Sequence, residues 1–360
     1  MKIGMFTFFS INYGAVLQAY SLQRTIKANN PQSEVALVDF KRPNQVPFDK
    51  VFFRRSSNPI FNIIWQILVL LRYKQFKKRT KSFVEFKSKL LFTKQYTSIT
   101  ELLTNPPSFD IYISGSDQVF NPKNQYRDVF FLNFAKGNSK KIAYAPSFGV
   151  NQFSNQDKMY IKLVLSDFDA LSCREIDGAN FMSELMNEDI PHVLDPVFLT
   201  SVEQWRSIEI TPDFKFGYIF VYCLKDLKKL LKIAKEKYPN KLIVVLAPND
   251  LRYYMGCRQI YYPGPQEFLG LIDHADAIIT DSFHGTSFSI IFGKVFHTVI
   301  TRPSVSSRIY SLLQTLKLEN RIVALHEKKM KDEDVVSDYN GLLDELIIKS
   351  SSFLNYSIGR

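Results

Sequence analysis

Asp281-Ser-Phe-His-Gly285 carries the clearest chemistry in this chain. The apolar run Ala277-Ile-Ile-Thr280 suits a buried strand, and a helical pattern starts directly after it and runs to Gly293. The first amides of a helix have no internal partner, so they attract phosphate or carboxylate. Gly285 lets a ligand approach the backbone, and His284 offers a proton or a charge at the same point. The plainer alternative is that Ser282 is only an N-cap, Gly285 a packing residue and His284 a satisfied histidine.

Other polar residues gather at comparable places. Asn12-Tyr13-Gly14 follows the first apolar run, Gly115-Ser116-Asp117-Gln118 the run Phe109–Ser114, Pro146-Ser147 the run 141–145, and Cys173-Arg174-Glu175 the run Phe168–Ser172. Ligands of parallel sheets sit at the carboxyl ends of strands. Arg174 presents a fork of donors that matches a planar carboxylate or a phosphate. Asp117 has two readings, a base for a hydroxyl or an Asx residue ordering its turn. Arg308, in Ser306-Ser-Arg308, reads as a cleft residue or as a solvated helix start. Asp195, before Pro196, reads as a fixture of the linker.

These residues need two frames to hold them. Strands over 2–9, 34–40, 109–114, 141–145 and 168–172 alternate with helices over 14–28 and from about 177. A linker at 193–200 follows, then a second series: strands over 216–223, 242–247, 259–262, 277–280 and 295–299, helices over 225–237, 265–274, 284–292 and 305–316. The expected fold is α/β, two Rossmann-like domains facing a cleft. Residues 1–195 form the first, with a basic helical insertion at about 41–100, and residues 196–330 the second. A C-terminal helix over 332–352 closes the segment 331–360.

Composition narrows the function. With 360 residues, 46% of them hydrophobic, the chain can build two cores. Cys173, Cys223 and Cys257 have neither pairing nor metal-ligand spacing, which points to a reducing interior, and Cys173 reads as a small buried residue. His192, His274, His297 and His326 show no ligand spacing either, and no metal is demanded. MKIGMFTFFS reads as a first strand, so the expected location is cytoplasmic. Residues 41–100 hold fourteen Lys/Arg against Asp49 and Glu85, a net +12, while the whole chain is +11. A local acidic partner follows. Ile60–Leu71 is too short to span a membrane. With the lysines after it, the stretch suits an interfacial helix at an anionic membrane surface, over 60–94, or a hairpin packed on its own domain. Nucleic acid is not expected, since the segment lacks interleaved aromatics and the strand-end residues would have no purpose.

Taken in order, the strand-end motifs resemble the polysaccharide pyruvyl transferase family from Ile3 to about Leu318. They are Asn12-Tyr-Gly-Ala15, Ser114-Gly-Ser-Asp-Gln-Val-Phe-Asn121, Ala145-Pro-Ser-Phe-Gly149, Ser172-Cys-Arg-Glu175, Leu194-Asp-Pro196 and Ala275–Gly285. Phe120 stands where the family often has tryptophan. The resemblance implies a fold similar to the glycosyltransferase-B type. It implies transfer of pyruvate from phosphoenolpyruvate, a co-substrate, onto two hydroxyls of a saccharide acceptor, with no cofactor. The acceptor would be a cell-surface polysaccharide precursor, lipid-diphosphate-linked at the cytoplasmic membrane face. Arg174 and His284 would hold the donor. His284, Asp117 and Arg174 are the catalytic candidates; Asn12, Tyr13, Gly14, Ser116, Gln118, Ser147, Ser282, Gly285 and Arg308 are the substrate-binding ones. The rival readings are a nucleotide-sugar glycosyltransferase on the same frame and a basic nucleic-acid-binding protein.

Overall fold

Short apolar runs separated by amphipathic helices bury both faces of their strands when parallel sheets are covered by helices on each side. The computed structural model describes every residue except 43, 44, 55, 136, 301–306, 324–338 and 360, and it has two six-stranded sheets. The first contains β1 (Lys2–Phe6), β2 (Glu34–Phe40), β3 (Phe92–Tyr96), β4 (Ile111–Ser114), β5 (Lys140–Ala143) and β6 (Ala170–Leu171), in the order β3-β2-β1-β4-β5-β6. The second contains β7 (Tyr218–Tyr222), β8 (Leu242–Leu246), β9 (Arg258–Gln259), β10 (Ala277–Thr280), β11 (Val295–Val299) and β12 (Ile322–Val323), in the order β12-β11-β10-β7-β8-β9. Pairing is parallel, with Ile3 opposite both Val35 and Ile111 and Ile279 opposite both Val221 and His297.

Seven helices lie in the first half: α1 (Tyr13–Asn29), α2 (Pro59–Leu71), α3 (Tyr73–Lys87), α4 (Ile99–Thr104), α5 (Arg127–Phe130), α6 (Asn155–Leu165) and α7 (Ile176–Met186). The second half has α8 (Val202–Arg206), α9 (Leu227–Lys237), α10 (Pro265–Asp273), α11 (Phe283–Ile291) and α12 (Ser307–Thr315), followed by α13 (Asn340–Gly359). Their boundaries have local causes. Ser154 and Asp157 form a capping box on α6, and Ser201 and Gln204 one on α8. α9 buries Leu227, Leu230, Leu231 and Ala234 along one stripe.

The domains share a core. Tyr13 of α1 is 1% exposed, stacks on Phe268 of α10 with ring centroids 4.6 Å apart and donates its hydroxyl to the Pro263 carbonyl at 2.9 Å. Trp205 donates to the Val197 carbonyl at 3.0 Å and meets Tyr20 from one domain and Phe288 from the other.

Two expectations are refined by the structure. The C-terminal helix begins at Asn340 and continues to Gly359, and its expected start at 332 lies outside the described residues. It also returns to the first domain: Ser350 Oγ accepts from the Leu194 amide at 2.9 Å, and the Ser357 carbonyl accepts from Lys140 Nζ at 3.2 Å. The hairpin of α2 and α3 packs on its own domain, with Phe83 against Tyr13, Phe86 against Tyr20 and Lys87 3.0 Å from Asp39, and it reaches the opposite domain as well. Gln75 Oε1 accepts from the Tyr261 amide at 3.0 Å, Phe76 stacks on Tyr261, and Ser82 lies 3.3 Å from Glu267. One face of α2 stays bare, with Ile60, Phe61, Ile63, Ile64, Ile67, Leu70 and Leu71 each 46–74% exposed. Among the described residues no helix is long and apolar enough to cross a membrane.

α13 supplies a test of its own packing. Leu354 is fully buried, whereas Ile348 on the same helix is 65% exposed. Leu354→Ala is expected to cost about 2–5 kcal/mol and Ile348→Ala under about 0.5 kcal/mol, read from denaturant midpoints.

Candidate active site

The carboxyl ends of β4 and β6, the linker and the start of α11 converge on one carboxylate, that of Asp195. Its Oδ2 accepts from Arg174 Nη1 at 2.6 Å and from Ser116 Oγ at 2.8 Å, and lies 3.6 Å from His284 Nε2. Its Oδ1 accepts from the Val197 amide at 3.1 Å. The carboxyl is 1% exposed. Burial pushes its pKa up, but His284, Arg174 and the Val197 amide outweigh that and hold it well below its ordinary 3.8. Sequence reasoning placed Asp195 only in the linker. It does cap the turn Pro196–Leu199, and it also joins both halves of the site.

Arg174 follows β6 and is 1% exposed at its side chain. Its guanidinium lies 3.7 Å from Asp117 and 4.6 Å over the ring of Phe283. Burial works against its charge, yet Asp195, Asp117 and Glu175 together raise its pKa. Nε and Nη2 have no hydrogen-bond partner. Arg308, at the start of α12, enters the same place from the second domain, 4.0 Å from Asp117. It is a cleft residue, not a solvated one. Burial lowers its pKa, and the neighbouring charge of Arg174 lowers it further. Its Nε is also buried without a partner. Unpaired buried donors are costly and rare in folded proteins. Both guanidiniums keep buried donors that the carboxylates of Asp195, Asp117 and Glu175 leave unfilled, and an anion with several acceptor oxygens would fill them.

Asp117 sits at φ 78, a strained conformation for a residue with a Cβ, and Ala145 in the adjacent loop has φ 51. The Asp117 carboxylate accepts from the Gln118 amide at 2.9 Å, so the Asx role is real, and it faces both arginines as well.

His284 is in the first turn of α11, 8% exposed, and its Nε2 has no hydrogen-bond partner. Gly14 is the reason it fits: a Cβ there would lie 2.0 Å from His284 Nδ1. The Gly285 amide is taken by Ser282 Oγ at 3.3 Å, so it is not the anion donor expected from the sequence. The amides of Phe283 and His284, ahead of any helical acceptor, are in its place.

The remaining candidates divide. Ser116 is within the cluster. Asn12 caps α1 through the Ala15 amide and is exposed beside the cleft. Tyr13 is wedged between the domains with its hydroxyl donated to the Pro263 carbonyl, and it also lines the cavity beside the α2–α3 hairpin. Ser147 is fully buried and donates to Glu175, Gln118 packs against Gly149, and Ser282 serves as the cap. Phe120 is fully buried against Phe131 at 4.3 Å, away from any ligand surface. Burial raises the Cys173 thiol well above its ordinary pKa, which removes it as a nucleophile. His192 Nε2 donates to the Arg174 carbonyl, 3.2 Å away, and burial lowers its pKa to about 4. His274 pairs with Glu209 and His297 with Tyr238, and His326 lies outside the described residues. Glu209, Asp273 and His274 could surround a cation, but Asp273 is already paired with Arg206.

Because the Asp195 pKa is depressed in the folded state, its stabilising contribution is present above the unfolded value, 3.8, and lost as pH falls below it. The stability gap between wild type and Asp195→Asn should therefore be constant from about pH 8 to 5 and shrink below about pH 4. Asp195→Ala, which leaves Arg174 buried and uncompensated, should cost about 3–5 kcal/mol. Chemical denaturation across that pH range checks both.

Solved structures show the same frame. A UDP-N-acetylglucosamine 2-epimerase from Listeria monocytogenes aligns with TM-score 0.53 and 9% identity over 99% of this chain and 90% of its own. MnaA of S. aureus, solved with UDP, aligns with TM-score 0.53 and 10% identity over 89% of this chain and 83% of its own. At such identities the likeness is one of fold, two facing α/β domains of glycosyltransferase-B type. A comparison with curated proteins finds no match for this sequence. Residues 12–302, which include every member of the Asp195 cluster except Arg308, match the family described as polysaccharide pyruvyl transferase, and the chain, a transferase, belongs to that family.

Proposed function

We propose that this enzyme transfers pyruvate from phosphoenolpyruvate to two hydroxyls of a saccharide in a cell-surface polysaccharide precursor, forming a cyclic ketal and releasing phosphate. One observation carries the choice of donor: Arg174 and Arg308, both with unpartnered buried nitrogens, and His284 meet around Asp195 and Asp117. A small molecule with a phosphate and a carboxylate supplies an anion to each guanidinium.

The chemistry follows from that placement. A proton adds to the methylene carbon of the donor, positive charge develops at the adjacent carbon, and one sugar hydroxyl attacks there. The second hydroxyl attacks the same carbon as its bond to phosphate breaks. One hydroxyl proton is balanced by the new methyl group and the other leaves with phosphate. His284 is the proton donor, and the arginines stabilise the departing phosphate. Asp117, held by the Gln118 amide and facing both guanidiniums, orients them.

Phosphate release that depends on both phosphoenolpyruvate and a saccharide acceptor tests the reading; stabilisation by a nucleotide sugar and none by phosphoenolpyruvate would favour the glycosyltransferase alternative. His284→Ala is expected to lose turnover about 100-fold or more while still being stabilised thermally by phosphoenolpyruvate. Gly14→Ala should share that phenotype, because its methyl group displaces the imidazole.

The acceptor reading extends to the membrane. The bare apolar face of α2, followed by Lys74, Lys77, Lys78 and Lys81, suits a helix seated in the interface of an anionic membrane, where lipid-diphosphate-linked saccharides are presented at the cytoplasmic face. Wild type should float with anionic liposomes, and Ile64→Glu/Ile67→Glu should remain at the bottom of the gradient with its melting temperature unchanged.

A further inference from the structure

A cavity of about 300 Å³ lies between the α2–α3 hairpin and the mouth of the cleft. Its wall combines three cations, Arg42, Lys50 and Arg79, with the aromatic side chains of Phe53, Trp65 and Phe76, and no aspartate or glutamate is among its described lining residues. Arg79 Nε is buried with no hydrogen-bond partner. Burial lowers the Arg42 pKa against the opposing pull of Asp117, and the guanidinium lies 4.6 Å over the ring of Phe8.

The cavity opens in two directions. Inward, Asn12 and Tyr13 belong to its wall, and the next residue, Gly14, lies against the His284 ring. Asp117 acts electrostatically on Arg42, so the charge of the cavity and that of the reaction site are coupled. Outward, Phe53 also lines a shallow groove with Pro59 and Ile63 of α2, which reaches the bare face of that helix. Arg42 and Arg79 are half-buried in the wall, Lys50 stands exposed at the rim, and Phe53 leads from the buried Trp65 and Phe76 out to the exposed apolar surface.

We infer that this cavity binds a phosphorylated amphiphile, a phosphate or diphosphate ester on an apolar chain, with its phosphates on Arg42, Lys50 and Arg79 and its first apolar segment along Phe53, Trp65 and Phe76. Only the further statement that this amphiphile is the carrier end of the acceptor rests on the pyruvyl-transfer reading. A carrier phosphate seated there places an attached saccharide one residue of α1 from His284.

The chain has two tryptophans, and they make the test direct. Trp65 lines the cavity, while Trp205 is fully buried in the shared core. Intrinsic fluorescence of the full chain is titrated with geranyl diphosphate below its critical micelle concentration, and in parallel with geranyl phosphate, geraniol and inorganic pyrophosphate. The expected result is a saturable change with geranyl diphosphate, absent in Trp65→Phe and about tenfold weaker in Lys50→Gln/Arg79→Gln, a loss of about 1.4 kcal/mol. Circular dichroism and the unaltered Trp205 emission verify that the variants are folded. No saturable change, or equal affinity in the charge variant, overturns the proposal. Equal affinity for geraniol reduces the cavity to an apolar slot, and equal affinity for pyrophosphate to a free-anion site; either result also overturns it. None of these signals needs turnover, so their failure leaves the donor chemistry standing, and failure of phosphate release from phosphoenolpyruvate leaves the amphiphile site standing.

Discussion

The buried pairing of Asp195 with Arg174 is the interaction on which the site depends. Removing both charges from water is expensive, and mutual attraction offsets it only when the remaining hydrogen-bonding capacity is filled. Here Ser116 and the Val197 amide fill the carboxylate's side, and Phe283 covers the guanidinium. The guanidinium's side stays incomplete. Because Ser116 and Arg174 belong to the first domain and His284 to the second, the same carboxylate sets the spacing of the two halves of the cleft.

Much of the architecture is legible in the sequence because buried parallel strands write themselves as short apolar runs. β2, β10 and β11 have the expected limits, and other strands differ mainly by trimming at their ends. β3 and β12 escaped because their composition carries no such run: Phe92–Tyr96 is mixed in polarity, and Ile322–Val323 is two residues long. The hairpin's docking on the second domain was not legible either. It depends on Gln75, Phe76 and Ser82 meeting Tyr261 and Glu267, nearly 190 residues on, and helical spacing says which face is apolar without saying what meets it.

The candidate site divides in the same way. Arg174, His284 and Asp117 stand out because strand ends are where parallel sheets present polar residues. The role of Asp195 was masked by the local role of an Asp before proline, and that of Phe283 by its appearance as one more apolar residue in a helix. Tyr13 shows the opposite case, since its position beside Asn12 and Gly14 suggests a ligand contact, while its ring also serves the domain interface, which no local pattern reveals. Position in a motif identifies a neighbourhood; the direction of each side chain is set by packing with chain segments far away.

The return of α13 to the first domain orders events during synthesis. Its Ser350 hydroxyl, Ser357 carbonyl and Phe353 ring reach partners in a domain whose own strands are complete by Leu171. Until those residues leave the ribosome, the amide of Leu194 and the apolar surface around Tyr144 stay uncovered. The strands of the first domain therefore precede by well over a hundred residues the helix that covers them, and translation, which proceeds at about 5–20 residues per second, sets the length of that interval.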